Sequence, residues 1–323
     1  MKAIQVTHFG GAECLSCVEV DEPALHGDEV LIQVAAAGVN FADIAMRYGV
    51  YTGGPRVPFI PGLEVSGTIV KTARPEDAGR IGEKVMTMLP IGGYAEFVKA
   101  GVNDLLPLPG HFSMEEGAAF PVTFLTAYHA LVTCGRMRQG ESVLIHAAGG
   151  GVGTAALQVA RILGVRIFAT VGSDEKAERV RQLGADVVIN YNQEEFVPIV
   201  RKATGGEGVQ VIMESVGGNI FRRSFKCLAV MGKMIIYGIS SGDLEIAHPR
   251  ELLFRNHSLI GLHIMALSRR AETAEPAKRD LTRWVSEKRL HPVIGHRFPM
   301  AEAAEAQALL ESRKSFGKII LLP

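Results

Sequence analysis

The stretch that decides the fold runs from residue 142 to residue 160 and reads SVLIHAAGGGVGTAALQVA. It consists of an apolar strand, a cluster of glycines and a helical pattern of apolar residues. It matches the G-x-G-x-x-G fingerprint of dinucleotide-binding proteins, with Ala148 in the place of the first glycine, followed by Gly150 and Gly153. Gly150 would let the backbone approach a pyrophosphate, and Gly153 would let the helix pack closely on the sheet. The stretch therefore predicts a strand-turn-helix unit whose helix N-terminus faces the phosphates of a dinucleotide.

The pattern that follows this stretch predicts a parallel sheet. From about residue 115, short apolar segments alternate with longer helical patterns, which is typical of βαβ units. In the helix after the second strand, Ser173 can cap the start and Gly184 can end it. Six strands in this arrangement predict a doubly wound sheet. The predicted strands are 143–146, 166–171, 187–189, 209–214, 233–238 and 258–263.

The two ends of the chain have a different pattern. The N-terminal third contains short alternating or apolar segments between Gly and Pro turns, so it is predicted to be mostly β. After about residue 265 the alternation stops, and two helical patterns, at 272–288 and 301–312, precede a last strand at 318–322. At about 150 residues per domain, 323 residues predict two domains. The N-terminal strands are predicted at 2–7, 16–20, 29–37 and 64–71.

Charge and composition exclude several classes of protein. Lys and Arg number 34, and so do Asp and Glu, which leaves a net charge of zero and no field that would attract nucleic acid or an anionic membrane. Neither a secretory leader pattern nor an apolar run of membrane-spanning length occurs. Four cysteines are too few for a disulfide scaffold. We expect a cytoplasmic protein with reduced thiols, no nucleic-acid partner and no membrane segment.

The end of the second predicted strand favours NADP over NAD. An NAD site has Asp or Glu there, about 20 residues after the glycines, to bind both ribose hydroxyls. This chain has Gly172, followed by the hydroxyl of Ser173 and the ammonium of Lys176, which suit a 2′-phosphate. Asp174 and Glu175 keep a second interpretation open, in which this is a capped helix with a surface lysine.

Other chemical motifs have weaker support. Cys14 and Cys17 form a CxxC without a second pair, and in a strand they would point to opposite faces, which indicates strand packing. No HExxH occurs, and none of the tyrosines has a lysine four residues later, as short-chain dehydrogenases require. His146, beside the glycine cluster, is predicted to order the turn.

Further motifs complete a pattern that covers nearly the whole chain. This pattern resembles the zinc-free quinone oxidoreductases, the zeta-crystallin branch of the medium-chain dehydrogenase/reductase superfamily. The resemblance implies an α/β protein: a GroES-like, mostly-β catalytic domain at 1–119 and 262–323, with an inserted Rossmann domain, a doubly wound parallel sheet, at 120–261. The motifs are Gly38-Val-Asn40-Phe-Ala-Asp43, Tyr51, Pro61-Gly62-Leu-Glu64-Val-Ser-Gly67, Gly92-Gly-Tyr94-Ala-Glu96, Leu125-Thr126-Ala-Tyr128, the glycine cluster, Ser173-Asp-Glu-Lys176, Ile189-Asn-Tyr191 and Gly317-Lys318.

The resemblance also implies a cofactor and the residues that bind it. Lys176 and Ser173 would hold the 2′-phosphate of NADPH. The zinc alcohol dehydrogenases of the same superfamily have a cysteine near position 40 and a His-Glu pair near 63–64, where this chain has Asn40 and Leu63-Glu64. No metal is therefore expected. The full set of implied NADPH-binding residues is Asn40, Thr126, Gly150, Gly151, Val152, Gly172, Ser173, Lys176, Tyr191, Ser215, Tyr237, Gly238 and Lys318.

By the same resemblance the protein would be an NADPH-dependent reductase of quinones or α,β-unsaturated carbonyls that transfers hydride without a metal. Negative charge gathers on the carbonyl oxygen during such a transfer, and a phenol or an amide can donate a hydrogen bond to it. Tyr51 and Asn40 are therefore the candidate catalytic residues, with Tyr51 either donating this hydrogen bond or passing on a proton from solvent. Two structural interpretations stay open: Tyr51 as an aromatic residue of a lid, and Asn40 as a residue that only holds the backbone or the cofactor. Ala45 stands where some members of the family have a second tyrosine, which leaves the substrate preference open.

Two alternative functions and an oligomeric state complete the expectations. The 2-enoyl-thioester (enoyl-CoA) reductases share this architecture, and a non-catalytic NADPH-binding protein would keep the cofactor residues without a substrate pocket. Relatives commonly form homodimers through an edge strand of the Rossmann sheet, so a homodimer is expected. The edge is predicted near 233–239, where the apolar run Met234-Ile-Ile-Tyr should not stay open to water.

Overall fold

The computed structural model of the protein describes all 323 residues. The strands in chain order are β1 (Lys2–Val6), β2 (Leu15–Glu19), β3 (Glu29–Val39), β4 (Glu64–Thr72), β5 (Lys84–Met88), β6 (Phe97–Gly101), β7 (Leu105–Pro107), β8 (Ser142–Ile145), β9 (Arg166–Val171), β10 (Val187–Asn190), β11 (Val209–Glu214), β12 (Leu228–Ile236), β13 (Ser258–Gly261), β14 (Ile294–Pro299) and β15 (Lys318–Leu322). The helices are α1 (Phe41–Arg47), α2 (Met114–Ala118), α3 (Pro121–Tyr128), α4 (Gly151–Leu163), α5 (Asp174–Gln182), α6 (Phe196–Ala203), α7 (Gly218–Ser224), α8 (Pro249–Leu253), α9 (Ile264–Ser268), α10 (Ala271–Ser286) and α11 (Ala303–Glu311).

The residues Thr123–His291 form one unit around a six-stranded parallel sheet. Its strand order is β10-β9-β8-β11-β12-β13, the doubly wound arrangement that the alternating pattern predicted. β8, the first strand in sequence, lies in the middle and is fully buried, because helices cover both faces of such a sheet. The predicted class of fold and all six predicted strands are confirmed for this unit.

The edge of this sheet differs from the prediction. The edge strand was expected near 233–239, but β12, which contains most of that run, pairs with β11 on one side and with β13 on the other. β13 is the edge strand. The apolar residues of β12 that seemed to need a partner outside the chain, such as the buried Met234 and Ile235, are covered within the unit itself.

The other unit combines Met1–Val122 with Pro292–Pro323. Its largest sheet has the order β14-β15-β3-β4-β5-β7, with β6 also paired to β3, and β1 pairs antiparallel with β2. The last strand, β15, pairs antiparallel with β3, so Ile320 lies opposite Gly38. The C-terminal segment thus completes a sheet that the N-terminal third begins, and the mostly-β prediction for this part is confirmed.

The division between the units differs from the predicted boundary at residue 262. The stretch from 262 to 291 belongs with the parallel-sheet unit, because α10 packs on the end of α3. There Tyr128 Oη donates to Asp280 Oδ2 at 2.8 Å, and the rings of Tyr128 and Trp284 are 5.8 Å apart. No helix of the protein is both long enough and apolar enough to cross a membrane.

Candidate active-site and cofactor-binding residues

The glycine cluster forms the turn between β8 and α4. Ala147 adopts a left-handed backbone conformation, with φ of 51°, and Gly150 N donates to Ala147 O at 3.0 Å, which closes the turn. A Cβ on Gly153 would lie 2.6 Å from Ala147 O and from two backbone atoms of Ala148. Only glycine therefore lets α4 approach the end of β8, and the predicted close packing at Gly153 is confirmed.

The start of α4 fits a pyrophosphate. Gly150 is the N-cap, and Thr154 N donates to Gly150 O at 2.9 Å as the first bond within the helix. The amides of Gly151 and Val152 come before that bond, at the positive end of the helix dipole. A Cβ on Gly150 would meet only Ala147 O, at 3.4 Å. The missing side chain thus leaves room beside the helix N-terminus that the chain does not fill itself.

His146 directly follows β8, and both of its ring nitrogens are bonded. Nδ1 is 2.9 Å from Thr170 Oγ1 on β9, and Nε2 is 2.9 Å from Ser224 Oγ on α7. Ser224 donates its own hydrogen to Ile220 O at 2.7 Å, so its oxygen accepts from Nε2–H and Nδ1 accepts from Thr170. Burial lowers the pKa of His146 to about 3. The neutral imidazole ties two strands and a helix together at the base of the turn, as predicted.

Four residues predicted to recognise the adenosine end of NADPH converge where β9 and β10 end. Ser173 is the N-cap of α5, and its Oγ accepts from Lys176 N at 3.3 Å. Lys176 is half-buried, and burial lowers the pKa of its ammonium. A Cβ on Gly172 would lie 2.6 Å from Tyr191 Oη. The tyrosine hydroxyl therefore rests directly on the glycine backbone, with the cap of α5 beside it.

Ser215, Tyr237 and Gly238 lie on two loops that are bonded to each other. The loops follow β11 and β12, and Ser240 N donates to Ser215 O at 2.8 Å while Tyr237 N donates to Glu214 O at 3.1 Å. Burial raises the pKa of Tyr237 to about 12, so its phenol keeps its proton at neutral pH. These three residues belong to one joined loop pair, and their predicted contact with the cofactor stays a prediction.

Thr126 lies on a different element of the same unit. It is buried on α3, which continues into the π-helical segment His129–Cys134. That segment packs against α4, the helix of the glycine turn. Thr126 is thus held on an element anchored beside α4, and its predicted place near the nicotinamide stays a prediction.

In the unit that contains the N-terminal third, Asn40, Glu64 and Lys318 form a buried polar cluster. Lys318 Nζ donates to Asn40 Oδ1 at 2.6 Å and lies 2.5 Å from Glu64 Oε1. Asn40 Nδ2 donates to Glu64 Oε1 at 3.0 Å and to Gly38 O at 3.3 Å. An ammonium only donates and a carboxylate accepts, so these partners decide which end of the amide carries the oxygen. Both amide hydrogens of Asn40 point into the protein.

Glu64 and Lys318 form a buried ion pair. Glu64 is fully buried, and its second oxygen accepts from Val122 N at 2.9 Å. The cation paired with Glu64 is thus the ammonium of Lys318, which is 4% exposed. No group of three or more His, Cys, Asp and Glu side chains is placed to hold a metal ion. The predicted contact of Lys318 with the cofactor stays a prediction.

Asp43 supports Asn40 from the other side, a role that the sequence did not reveal. Its buried carboxylate accepts from Asn40 N at 2.8 Å, from Tyr94 Oη at 2.8 Å and from Gly62 N at 3.3 Å. Burial raises the pKa of Asp43 to about 6, against the opposing effect of these hydrogen bonds and of the Lys318 charge. The Asn-x-x-Asp spacing at the start of α1 is the one local signal that could have indicated this contact.

Tyr51 lies on the loop after α1. It is half-buried against an apolar cluster that includes Met46, Phe59 and Leu63. Burial, with a smaller contribution from the charge of Asp43, raises the pKa of the phenol. The hydroxyl therefore keeps its proton at neutral pH and is suited to donate a hydrogen bond, while its predicted catalytic role stays a prediction.

Comparison with known families assigns both units. The family described as alcohol dehydrogenase GroES-like domain matches residues 26–110, and the family described as zinc-binding dehydrogenase matches residues 151–279. The second match begins at Gly151, the first residue of α4, and the first includes Asn40, Tyr51 and Glu64.

Full-length relatives agree with these matches. The chain is 35% identical to the quinone oxidoreductase of Rattus norvegicus, over 100% of this chain and 98% of the relative. Its fold matches the quinone oxidoreductase of Thermus thermophilus, solved alone and with NADPH, at a TM-score of 0.88 and 37% identity over the whole of both chains. The Escherichia coli quinone oxidoreductase with NADPH gives a TM-score of 0.94 at 29% identity, again over both whole chains. The protein therefore belongs to the quinone oxidoreductase family of the medium-chain dehydrogenase/reductase superfamily.

Proposed function

We propose that the protein is an NADPH-dependent reductase of quinones or α,β-unsaturated carbonyls and that it transfers hydride without a metal. The observation that carries the proposal is the group of Gly172, Ser173, Lys176 and Tyr191 at the ends of β9 and β10. In a doubly wound fold, the adenosine ribose is recognised there. A hydroxyl and an ammonium suit a 2′-phosphate, and position 172 has no acid to bind a ribose diol. The Thermus and Escherichia relatives described with NADPH support the same cofactor.

The residues proposed to bind NADPH fall into groups, and each group would hold a different part of the cofactor. The amides at the start of α4 would bind the pyrophosphate, and Lys176 and Ser173 would bind the 2′-phosphate with Tyr191 beside them. NADPH supplies the hydride when it is bound, so the protein has only to orient it. The complete proposed set is Asn40, Thr126, Gly150, Gly151, Val152, Gly172, Ser173, Lys176, Tyr191, Ser215, Tyr237, Gly238 and Lys318.

Tyr51 and Asn40 would act on the substrate in different ways. A carbonyl oxygen that gains negative charge needs a donor, and Tyr51 has a phenolic hydroxyl that is protonated at neutral pH. Burial raises its pKa further above its ordinary value. Asn40 directs its amide hydrogens at Glu64 and Gly38, and its Oδ1 accepts from Lys318, so its side chain has no donor left for an oxyanion. We therefore assign the hydrogen bond to the oxyanion to Tyr51 and a positioning role to Asn40.

We propose that no metal takes part in the reaction. The support is the ammonium of Lys318, which lies 2.5 Å from Glu64 Oε1. A metal cation at that carboxylate would have to displace the ammonium or approach it closely, against like-charge repulsion.

We also propose a homodimer in the cytoplasm. All four cysteines are unpaired, which suits a reducing compartment. β13 leaves one edge of the parallel sheet open, and large apolar side chains nearby are exposed, including Leu253 at 73% and Phe254 at 83%. An open apolar edge of this kind favours pairing with a second copy.

The experiment that tests the proposed function is NADPH oxidation followed at 340 nm. The purified protein is mixed in parallel with an ortho-quinone, a simple enone and a 2-enoyl-CoA, with NADH as the control cofactor. Turnover of the quinone or the enone with NADPH is the expected result, and it should survive prior incubation with a chelator. Preference for the thioester would replace the proposed substrate class, and tight NADPH binding without turnover would indicate a binding protein.

A further inference from the structure

An acidic residue stands at the proposed 2′-phosphate site, where its charge conflicts with the ligand. Asp174 is the first residue of α5, two positions after Gly172 and two before Lys176. Acids in this part of a doubly wound fold bind the ribose diol of NAD and repel a 2′-phosphate. Yet α5 also carries the lysine that suits the phosphate. A site selective for NADPH therefore has to restrain this carboxylate.

The loop after β10 provides that restraint through two amides. Asn190 Nδ2 donates to Asp174 Oδ1 at 2.8 Å, and Gln193 Nε2 donates to Asp174 Oδ2 at 2.9 Å. Each carboxylate oxygen thus has its own donor, one from the last residue of β10 and one from the loop that follows it. These hydrogen bonds hold the pKa of Asp174 below its usual value, so it stays ionised near neutral pH.

The donors are themselves fixed by the sheet. β10 pairs in parallel with β9 so that Asn190 lies opposite Val171. Asn190 is 5% exposed, and its Oδ1 accepts from Asn192 N at 3.1 Å, which leaves its Nδ2 to face Asp174. Asn192 Nδ2 in turn donates to Gly172 O at 2.7 Å. The start of the loop is therefore fastened at the ends of β9 and β10, and the buried Asn190 fixes one oxygen of the Asp174 carboxylate.

We propose that Asn190 and Gln193 determine cofactor preference by holding the Asp174 carboxylate toward the β10 loop and away from the 2′-phosphate. This inference rests on the proposed use of NADPH. Asn190 and Gln193 are positioning residues, since they act through Asp174. Without them the carboxylate is free to turn toward the ribose, where it accepts from the hydroxyls of NADH and repels NADPH.

The test compares binding of the two cofactors to three forms of the full chain, measured by fluorescence titration with NADPH and NADH. The forms are the wild type, the double variant Asn190→Ala/Gln193→Ala, and the triple variant that adds Asp174→Ala. The wild type should prefer NADPH. The double variant should lose at least fivefold of that preference, and the triple variant should regain it because the carboxylate is gone.

A matched control is Gln182→Ala, which removes another amide-to-carboxylate bond on α5, from Gln182 Nε2 to Glu178 Oε1. It should leave the preference unchanged. Circular dichroism and melting temperatures identify variants that fail to fold, and for these Asn190→Leu and Gln193→Met, which remove the amide donors at similar size without adding charge, replace the alanine changes.

Each other outcome has a distinct meaning. An unchanged preference in the double variant overturns the inference. If the double variant loses preference for NADPH and the triple variant does not regain it, the loss comes from a changed position of the loop. That result overturns the role of the Asp174 carboxylate. A wild type that does not discriminate between the cofactors contradicts the proposed function itself, whatever the variants do.

Discussion

At the scale of single residues, the hydroxyl of Tyr51 can be removed without changing the packing around it. Phenylalanine at this position keeps the packing against Met46, Phe59 and Leu63 and removes only the hydroxyl. If that hydroxyl stabilises the oxyanion, Tyr51→Phe should lower kcat by roughly a hundredfold, as loss of one such donor does in other enzymes. The affinity for NADPH should not change. Steady-state kinetics with a cofactor titration checks both values, and an unchanged kcat would remove Tyr51 from the mechanism.

The raised pKa of Asp43 predicts how the free energy of unfolding depends on pH. Its pKa is 3.8 as a free side chain and about 6 in the fold, so between these values the folded state binds more protons than the unfolded state. The contribution of this residue to the free energy of unfolding therefore falls as the pH rises from about 4 to 6.

The variant Asp43→Asn cannot titrate and should lack this change. The difference in unfolding free energy between wild type and Asp43→Asn should shift by about 3 kcal/mol across the window, from roughly 1.4 kcal/mol per pKa unit. Urea denaturation at a series of pH values measures it. Asp21→Asn, a change at an exposed position, serves as the control. If the difference in unfolding free energy between wild type and Asp43→Asn stays constant with pH, the raised pKa of Asp43 is contradicted.

The residue types at the site were predictable, but their partners were not. Asn40 and Lys318 both belong to motifs visible in the sequence, while the bond between them joins residues 278 positions apart. A sequence pattern reports short spacings such as Asn40 to Asp43, and it carries no record of which distant side chain closes a buried cluster. For the same reason, the amide orientation that directs both hydrogens of Asn40 at Glu64 and Gly38 required the structure.

At the scale of elements, the turn between β8 and α4 separates two kinds of glycine. At Gly153 an added Cβ would lie 2.6 Å from backbone atoms, which cannot move without displacing α4. At Gly150 it would lie 3.4 Å from one carbonyl oxygen, which is ordinary contact. Gly153 therefore serves the fold, and Gly150 serves the proposed ligand.

This difference predicts contrasting effects of the same substitution. Gly153→Ala should destabilise the protein by at least about 1–3 kcal/mol, the usual cost of overpacking. Gly150→Ala should keep the stability of the wild type and lower the affinity for NADPH. Thermal melts and cofactor titration of both variants make the comparison. Equal destabilisation, or NADPH binding unaffected by Gly150→Ala, would contradict it.

Elements with strong periodic patterns were predicted well, and their order in the sheet was predicted less well. Each strand of the parallel sheet has a local apolar signal, so β8 to β13 were all found. The prediction assigned the wrong edge strand because β12 and β13 are both apolar in sequence. Only the hydrogen-bonded pairing of the strands shows which of them lies at the edge of the sheet. In the structure Met234 on β12 is buried in the hydrophobic core, while Leu259 on the edge strand β13 is 36% exposed.

At the scale of the whole molecule, the open edge at β13 predicts the oligomeric state. Light scattering at micromolar concentration should give twice the 34.8 kDa of one chain. Leu259→Lys places a charge on the edge strand, which natural proteins use to prevent such pairing, and should shift the mass toward one chain. Ile81→Lys, an exposed apolar position in the other unit, should leave the mass unchanged. A single-chain mass for the wild type would contradict the homodimer.

The pairing of β15 with β3 also affects how the protein is made. β3 leaves the ribosome early, but residues 37–39 meet their partners at 319–321 only after the whole parallel-sheet unit has been synthesised. At about 5–20 residues per second this interval lasts on the order of tens of seconds. Throughout that time the nascent chain exposes part of a strand edge to its neighbours, and Asn40 lacks the ammonium of Lys318 that bonds to it in the folded protein.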